Sequence, residues 1–279
     1  MQIRGQTAIV TGASSGIGRA VALKLAKLGA TVALVARRRH ELETVAHAIE
    51  ADGGKAIVIP CDVTDLAAVQ TAFERVELEI GTVHVLVNAA GFGVWRPFEE
   101  VSEEEHHLMM NVNYWGSFNW IRRVLPGMAK QKRGRIVNIS SASGKFALSV
   151  TSGYSASKFA ITGLSESLHR QYLGTGIGIS CIHPGSVKTD FWNETRTPKA
   201  TIPPLVRFAP KLSPAAIARS VVYSIRFGFP SLTPPIFVNL LAKLNAIWLR
   251  FGDLMLWRWF VPAVIVVIAA RVFYRTMGT

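Results

Sequence analysis

Short runs of consecutive apolar residues, many of them β-branched, alternate with helix-length segments from the N-terminus to about residue 185. Such runs are typical of strands covered on both faces, and their spacing favours parallel βαβ units over hairpins. The pattern therefore predicts an α/β protein with a doubly wound parallel sheet and helices on both faces. The predicted strands are Thr7–Val10, Thr31–Ala36, Lys55–Ile59, Val83–Asn88, Gly134–Ser140 and Gly178–His183.

The pattern changes after residue 189, where five prolines lie between Thr189 and Pro214. This composition predicts a long loop, and we interpret it as a lid over about 189–214. Ser213 is expected to cap a helix that begins at Pro214 and runs through Tyr223. The chain is thus divided into a main domain over residues 1–228, lid included, and a hydrophobic extension over residues 229–279.

The extension combines two apolar patterns. Residues 236–251 place apolar side chains at helical spacing, and Trp259–Ala270 is an uncharged run of 12 residues. As a helix this run spans about 18 Å, against about 30 Å for a hydrocarbon core. Flanking arginine and aromatic side chains suit a membrane interface, so we expect membrane association through 236–274. Whether the segment spans the membrane, lies on it or packs on protein is left open.

Composition adds a formal net charge of +13 and a mean hydropathy of +0.28. The charge suits nucleic acid, an anionic membrane or a polyanionic cofactor. The basic residues are scattered and no exposed aromatic platform is identifiable, so nucleic-acid binding is disfavoured.

Cys61 and Cys181 are flanked by apolar residues and predict buried thiols in a reducing compartment. No long apolar run precedes the first strand, which predicts no cleaved secretory signal and a cytoplasmic main domain. No metal site is predicted.

A glycine-rich turn follows the first predicted strand and opens a helix. Glycines at 12, 16 and 18 are placed where the backbone turns tightly and approaches a pyrophosphate at a helix N-terminus. Strand, turn and helix together predict a dinucleotide site. Its residues are Gly12, Ser14, Ser15, Gly16, Ile17 and Gly18.

The second predicted strand ends in Arg37, Arg38 and Arg39, with no carboxylate to bind ribose hydroxyls. A guanidinium binds a 2′-phosphate by charge-assisted hydrogen bonds, so Arg37, helped by Arg38, predicts NADP(H), with NAD(H) possible. A solvated basic turn is the alternative. Asp62 and Val63 are placed at the adenine edge, although Asp62 could equally cap the next helix.

Further motifs accompany this turn: Asn88-Ala89-Ala90-Gly91, Asn113, Ser141, Tyr154-Ser155-Ala156-Ser157-Lys158 and Pro184-Gly185. Together they resemble the classical short-chain dehydrogenase/reductase family over about residues 5 to 190. The resemblance implies a Rossmann-type fold, a nicotinamide cofactor and the interconversion of a carbonyl and an alcohol.

Tyr154 and Lys158 are four residues apart and share one helical face, so the ammonium can act on the phenol. Lys158 together with an oxidised nicotinamide is expected to lower the pKa of Tyr154, which predicts a role for this residue as general acid/base. The resemblance implies that Lys158 also holds the nicotinamide ribose hydroxyls, that Ser141 hydrogen-bonds the substrate oxygen and that Asn113 supports a water relay.

Two neighbours compete with these assignments. Strand alternation and the family spacing favour Ser141 over Ser140. The family pattern places an asparagine three residues before a glycine, here Gly116, so the resemblance favours Asn113 over Asn111. Ala89 departs from the family's commoner second asparagine, and His183 is interpreted as structural. The resemblance implies that Val187 offers backbone contacts and Thr189 touches the phosphates. It extends the cofactor contacts to Asn88, Ala89, Gly91, Tyr154, Lys158, Pro184, Gly185, Val187 and Thr189.

Several aromatic and aliphatic residues are placed near the predicted lid. They predict an apolar substrate pocket, or alternatively ordinary core or the contact of a homo-oligomer. They are Phe92, Trp95, Phe191, Trp192, Leu205, Val206 and Phe208. The leading hypothesis is a reductase for a small hydrophobic ketone or aldehyde, and the alternative is a non-catalytic cofactor-sensing or scaffold protein on the same fold.

Overall fold

In the computed structural model, residues 1–191, 202, 204–207, 209, 211–235, 238–240, 242 and 244 are described. Within them, seven parallel strands form one sheet in the order β3-β2-β1-β4-β5-β6-β7. The strands are β1 Thr7–Thr11, β2 Thr31–Ala36, β3 Lys55–Pro60, β4 Val85–Asn88, β5 Gly134–Ile139, β6 Ile177–Ile182 and β7 Ser231–Leu232. The predicted doubly wound sheet is confirmed. Each of the six predicted strands is present, with ends shifted by at most two residues.

Helices cover both faces of this sheet. They are α1 Gly16–Lys27, α2 Arg39–Ala51, α3 Leu66–Ile80, α4 Glu103–Met110, α5 Gly116–Lys130, α6 Ser152–Gln171, α7 Pro204–Arg207 and α8 Pro214–Phe227, with a π-helical turn at Asn111–Trp115. On one face α1, α2 and α8 bury residues such as Leu25, Leu42 and Val221. On the other face α3 and α5 bury residues such as Val69 and Trp120. Both faces of the sheet are therefore dry, which explains its continuous apolar strands.

The strand order reverses between β1 and β4. Because the chain after β1 continues into α1 on one face of the sheet and the chain after β4 leads to α5 on the other, the two connections border a crevice at the carboxyl ends of the strands. Thr11 and Asn88 pair across this point as the last residues of their strands. A ligand site is expected at this edge.

The predicted helix at Pro214 begins as expected, with Ser213 Oγ accepting from the amide of Ala216 at 3.2 Å. It continues four residues past Tyr223 to Phe227. Residues Met1–Val238 form one compact unit, and the described residues contain no helix long and apolar enough to cross a membrane. Half of the predicted lid, and nearly all of the extension from residue 236 on, lies outside the described residues.

Candidate active site

The turn after β1 is held against the loop after β4. Thr11 Oγ1 accepts from the amides of Ala89 and Ala90 at 3.1 and 3.2 Å. Gly12 has a φ of +65°, and a Cβ there would lie 2.7 Å from the Ala90 nitrogen. No residue with a side chain fits this approach of two backbones. The two loops that border the crevice are thus in direct contact.

The residues of this turn fit a pyrophosphate. Ser15, the N-cap of α1, makes no side-chain capping hydrogen bond, so its hydroxyl does not satisfy the first amides of the helix. An anion at a helix N-terminus satisfies such amides. Thr189 lies over the same turn, with its methyl group 3.1 Å from where a Cβ at Gly16 would be. Thr189 is therefore placed where the resemblance implied a phosphate contact.

The basic residues after β2 lie at one end of the crevice. Arg38 Nη2 donates to Ser14 Oγ at 3.2 Å, and Arg37 Nη1 is 4.0 Å from Asp62 Oδ2. The side chains of Arg37 and Asp62 are 76% and 41% exposed. The Arg37 guanidinium can thus reorient, because an exposed ion pair of this kind contributes little stability.

Asp62 and Val63 occupy different surroundings. Asp62 Oδ1 accepts from the amide and the hydroxyl of Thr64, while the cap of α3 is Asp65, so the capping role considered for Asp62 belongs to its neighbour. Val63 is buried, and its side chain lies against Gly116. Only Asp62 of this pair presents a side chain to the exposed end of the crevice.

Tyr154 and Lys158 lie on one buried face of α6, with exposed fractions of 7% and 4%. Lys158 Nζ is 5.7 Å from the centre of the Tyr154 ring and donates to the carbonyl oxygen of Ile139 at 3.1 Å. Burial lowers the pKa of Lys158 to about 8. Burial also raises the pKa of Tyr154 to about 12, although its hydrogen bond with Ser141 acts in the opposite direction. The predicted lowering of the Tyr154 pKa is therefore not found in the protein alone, because desolvation is the largest influence.

Two adjacent serines at the end of β5 face different partners. Ser141 hydrogen-bonds Tyr154, and its Oγ accepts from the amide of Ser143 at 3.1 Å. Ser140 Oγ donates to the carbonyl oxygen of Lys158 at 3.0 Å and lies 3.0 Å from Thr162 Oγ1. The structure thus places Ser141, and not Ser140, beside the phenol.

Asn113 lies in the π-helical turn and is 1% exposed. It accepts from the amide of Phe92 at 2.8 Å, and it donates to the Phe92 carbonyl at 2.7 Å and to Ser157 Oγ at 2.8 Å. Ser157 Oγ in turn donates to the Tyr154 carbonyl at 2.7 Å. Asn113 therefore ties the loop after β4 to the helix that carries the phenol, whereas Asn111 is exposed.

A chain of buried polar side chains links the sheet to α6. Asn88 Nδ2 donates to Asn138 Oδ1 at 2.8 Å, Asn138 Nδ2 donates to Ser165 Oγ at 2.9 Å, and Ser165 Oγ donates to the carbonyl oxygen of Ile161 at 2.6 Å. Asn88, predicted to bind cofactor, is 2% exposed, and its Nδ2 is engaged inside the protein while its Oδ1 is buried without a partner among the described residues. Contact with a cofactor at this position would come from the backbone.

The segment after β6 is held by neighbouring backbone. The Pro184 carbonyl accepts from the amide of Ala142 at 2.8 Å, and the Gly185 amide donates to the carbonyl of Pro234 at 2.9 Å. Val187 forms an isolated parallel bridge with Leu212. Pro184, Gly185 and Val187 thus lie beside the crevice, next to the turn that carries Ser141.

His183 stands at the end of β6 and is 1% exposed. Its Nε2 is 3.3 Å from Thr162 Oγ1, and its Nδ1 is 3.4 Å from Ser231 Oγ. Burial lowers the pKa of His183 to about 3, so the ring is neutral at physiological pH. These contacts fit the structural role inferred from the sequence.

Aromatic rings surround the phenol. The ring centres of Trp95 and Phe191 each lie 5.8 Å from that of Tyr154. A Cβ at Gly93 would lie 2.6 Å from Tyr154 Cδ2, so the loop after β4 packs directly on the ring. The other members of this apolar cluster are Phe92, Val94, Val101, Met109, Leu148 and Val206. Of the other residues predicted here, Trp192, Phe208 and the side chain of Leu205 lie outside the described residues.

Sequence reasoning missed several residues that organise the site. They include Thr11, Gly93, Asn138, Ser157 and Ser165. Ser157 carried one usable signal, since three residues after Tyr154 it lies within a turn of the tyrosine on α6. For the others the signal is tertiary, because each makes a contact with a residue at least 27 positions away in the chain.

A family model described as "short chain dehydrogenase" matches residues 6–200, which includes the turn after β1, Ser141, Tyr154 and Lys158. The chain belongs to the short-chain dehydrogenase/reductase family. Relatives of this dehydrogenase/reductase include a fatty acyl-CoA reductase of Acinetobacter baylyi, 36% identical over 80% of this chain and 74% of the relative. The ketoacyl reductase HetN of Nostoc sp. is 32% identical over 92% of this chain and 90% of the relative.

Solved structures agree with this assignment. A short-chain dehydrogenase/reductase from Burkholderia phymatum, solved with NAD, is 26% identical, covers 90% of this chain and 96% of its own, and superposes with a TM-score of 0.82. An alcohol dehydrogenase from the archaeon Thermococcus sibiricus, solved with 5-hydroxy-NADP, is 28% identical over 82% and 95% of the two chains, with a TM-score of 0.72. The chain is thus a short-chain dehydrogenase/reductase enzyme, and both forms of nicotinamide cofactor occur in its structural neighbours.

Proposed function

We propose that this enzyme interconverts a hydrophobic ketone or aldehyde and the corresponding alcohol with NADP(H), using Tyr154 as general acid/base. The observation that supports this most directly is the buried phenol, which is hydrogen-bonded to Ser141 and packed between Trp95 and Phe191. A carbonyl that enters this cluster meets two hydroxyl groups and is otherwise surrounded by apolar side chains.

The nicotinamide, when bound, supplies or accepts the hydride. In the reductive direction Ser141 donates a hydrogen bond to the substrate oxygen, and Tyr154 transfers its proton to that oxygen as negative charge develops there. Because the pKa of Tyr154 is about 12, the phenol carries this proton at physiological pH. The ammonium of Lys158 stabilises the resulting phenolate, and Asn113 keeps the backbone of α6 in register with the loop after β4.

The exposed end of the crevice favours NADP(H). Arg37 and Arg38 can bind a 2′-phosphate, while Asp62 is the acidic side chain in ion-pair distance of Arg37. A 2′-phosphate would replace the carboxylate as the partner of Arg37. The ribose hydroxyls of NAD(H) would meet two guanidinium groups where an acidic residue suits them better, so NAD(H) is proposed as the weaker cofactor.

The names of the relatives sharpen the substrate class. A fatty acyl-CoA reductase and a ketoacyl reductase both act on acyl chains, and the apolar cluster around Tyr154 fits such a chain better than a polar metabolite. We therefore propose a carbonyl attached to a long acyl chain or a similar lipid-like group.

The test measures NADPH oxidation by the full-length protein with aldehydes and 3-ketoacyl thioesters of increasing chain length. Burial of each added methylene is worth about 0.8 kcal/mol, so kcat/KM is expected to rise about fourfold per carbon until the pocket is filled. Turnover that does not depend on chain length would contradict the lipid-like substrate. Cofactor binding without turnover of any carbonyl would instead favour the cofactor-sensing alternative.

We also propose that the main domain is cytoplasmic and that residues 236–274 associate with a membrane. The support is the sequence of this segment, with its amphipathic pattern followed by the uncharged run at Trp259–Ala270. Because Val238 is 5% exposed and belongs to the compact unit, the clean deletion begins at Asn239. We expect the chain without residues 239–279 to leave the membrane fraction and to keep NADPH turnover. Retention in that fraction would contradict this assignment.

A further inference from the structure

Three aromatic side chains form an exposed patch at the C-terminal end of α8 and just beyond it. Tyr223, Phe227 and Phe229 are 49%, 63% and 41% exposed. The rings of Tyr223 and Phe229 are stacked, with centres 5.3 Å apart and planes 3° apart, and the centre of Phe227 is 4.6 Å from that of Tyr223. Single exposed apolar residues are ordinary, but contiguous ones mark interaction surfaces. We call these three residues the aromatic patch.

Basic residues border the aromatic patch. Arg219 and Arg226 are exposed on the same side of α8 as Tyr223, at spacings of four and three residues. A cleft of about 700 Å³ adjoins Phe227, and the eight residues that line it include Arg4, Lys27 and Arg226 but no Asp or Glu. Among the described residues, none of these four basic side chains forms an ion pair.

The C-terminal end of α8, which carries Arg226 and Phe227, lies near the amino end of β5, whereas Arg219 lies nearer the middle of the helix. Arg135, the second residue of β5, donates to the carbonyl of Ile225 near the end of α8 at 3.2 Å. The hydroxyl of Ser180 donates to the carbonyl of Phe229 at 2.6 Å. The candidate active site lies at the carboxyl ends of the same strands. A partner that covers the patch therefore leaves the crevice open.

The charge of the chain favours an anionic partner. From Thr195 to the last residue the sequence contains eleven Lys or Arg residues and a single acidic residue, Asp253. Anionic phospholipids attract Lys and Arg side chains that lie near the headgroups, and Arg219 and Arg226 are two such side chains on the described part of the chain. Aromatic rings beside arginines are the side chains that favour the interface between headgroups and hydrocarbon.

We infer that the aromatic patch, with Arg219 and Arg226, is a docking surface for an anionic lipid bilayer. The guanidinium groups contact lipid phosphates, and the three rings enter the interfacial region. The inference rests on the proposed membrane association of the chain and adds a second contact, located on the compact unit itself. Docking at this edge would hold the enzyme at the surface that contains a lipid-like substrate.

The experiment measures sedimentation of the full-length protein with phosphatidylcholine vesicles and with vesicles that also contain phosphatidylserine. The test variant is Arg219→Glu/Arg226→Glu. The matched control is Arg122→Glu/Arg170→Glu, which changes the net charge equally at exposed residues of α5 and α6, on the opposite face of the sheet. We expect the test variant to lose at least about tenfold in partitioning to the phosphatidylserine vesicles, and the control to keep most of it. Turnover of a soluble aldehyde should remain at the wild-type rate in both.

A second variant, Phe227→Ser/Phe229→Ser, tests the rings. We expect this variant to partition several-fold more weakly to the vesicles than the wild type. The ratio between the two should stay the same when salt is added, because salt screens charges and not the burial of apolar area. Equal losses in the charge-reversed test and control variants, or no loss in either, would overturn the inference. It would also be overturned if the serine variant bound vesicles normally but changed the sedimenting mass, because the patch would then join two copies of the chain. Binding of duplex DNA is measured for the same variants. If the Arg219→Glu/Arg226→Glu variant lost DNA binding but bound vesicles normally, the inference of a lipid surface would be overturned in favour of a nucleic-acid surface.

A tail variant separates this inference from the proposed role of the extension. Val264→Asp/Val267→Asp introduces two charges into the uncharged run. If it abolishes binding to phosphatidylcholine alone but preserves the additional binding to phosphatidylserine, the tail and the patch both act. If it has no effect while the arginine variant does, the role of the extension fails and the patch stands.

Discussion

The two ends of the crevice are built in opposite ways. At the end that holds Tyr154, Lys158 and Asn113, the side chains are between 1% and 7% exposed and each has a hydrogen-bond partner within the protein. At the other end, Arg37 is 76% exposed and its ion pair with Asp62 spans 4.0 Å. The first end is ordered before any ligand binds, whereas the second can rearrange around one.

This contrast separates chemistry from selection. Proton transfer requires groups that are already in position, because even a small misplacement is costly. Recognition of a cofactor phosphate tolerates flexible partners, since its strength comes from charge. Changes at the buried end are therefore expected to alter turnover, and changes at the exposed end to alter cofactor affinity.

The largest effect is expected for Tyr154→Phe, which removes the proton donor and leaves the ring packing unchanged. We expect kcat to fall about a hundredfold to ten-thousandfold while the affinity for NADPH changes little. Stopped-flow turnover and fluorescence titration of NADPH measure the two quantities. Tyr172→Phe, at the C-cap of the same helix, is the matched control and should retain full activity. Substantial turnover by Tyr154→Phe would contradict the proposed mechanism.

At the exposed end, Arg37→Asp should weaken NADPH binding about tenfold to a hundredfold relative to NADH, because a charge-assisted contact with the phosphate becomes a repulsion. The kcat with saturating cofactor should change little. Arg39→Asp, whose arginine pairs with Glu43 one turn along α2, controls for the change in net charge. Equal weakening of both cofactors by Arg37→Asp would show that Arg37 does not contact the 2′-phosphate.

The buried end should also give the enzyme a pH dependence. The pKa of Lys158 is lowered to about 8 from an ordinary value of 10.5, so its ammonium is present below pH 8 and is lost as the pH rises through that value. We expect kcat/KM for reduction to fall about tenfold per pH unit above about 8. Lys158→Arg stays charged and should remove this fall, even if its maximum rate is lower. A wild-type profile that is flat to pH 10 would show that the charge of Lys158 is not required.

The same shift affects stability in the opposite direction. Between about pH 8 and 10.5 the unfolded chain keeps a proton on Lys158 that the folded chain has released. The contribution of Lys158 to the free energy of unfolding therefore rises with pH across this window. Urea denaturation of the wild type and Lys158→Met at several pH values isolates that contribution.

The smallest effect is expected for Gly93→Ala. The added Cβ would lie 2.6 Å from Tyr154 Cδ2 and 3.0 Å from Phe191 Cζ, so the phenol must shift by a fraction of an ångström. We expect kcat/KM to fall severalfold, with cofactor affinity unchanged. Gly163→Ala is the control, because a Cβ there meets nothing within 4 Å, and it should stabilise α6 slightly. Normal activity in Gly93→Ala would show that the position of the ring is not tightly constrained.

The alternating strands and helices up to about residue 185 could be predicted from the sequence, because the apolar patterns that specify them are local. It missed β7, since two residues between Pro230 and Pro234 carry no strand periodicity. It placed the start of β4 at Val83, whereas the observed strand begins at Val85. The apolar pattern starts two residues before the hydrogen-bonded pairing with β1 begins. Burial of Val83 outside the strand explains that difference.

At the site, the residue types could be predicted but most of their interactions could not. Strand alternation separated Ser141 from Ser140, as the structure also does. In the protein alone burial raises the pKa of Tyr154, and the burial of Tyr154 and Lys158 was not visible in their spacing, while the effect of a bound oxidised nicotinamide stays a prediction. The hydrogen bonds of Asn113 and the pairing of Arg37 with Asp62 join distant parts of the chain, and no local pattern specifies them.

The buried chain from Asn88 through Asn138 and Ser165 to the carbonyl of Ile161 has a direction, since every donor in it points from the sheet toward α6. A carboxylate at position 138 would break this order, because it can accept from Asn88 but has no proton to offer Ser165. An apolar residue at any one of these three positions would leave the neighbouring polar side chain buried without its hydrogen-bond partner. In descendants of this sequence we therefore expect these three positions to be inherited or replaced together, as a single unit of variation.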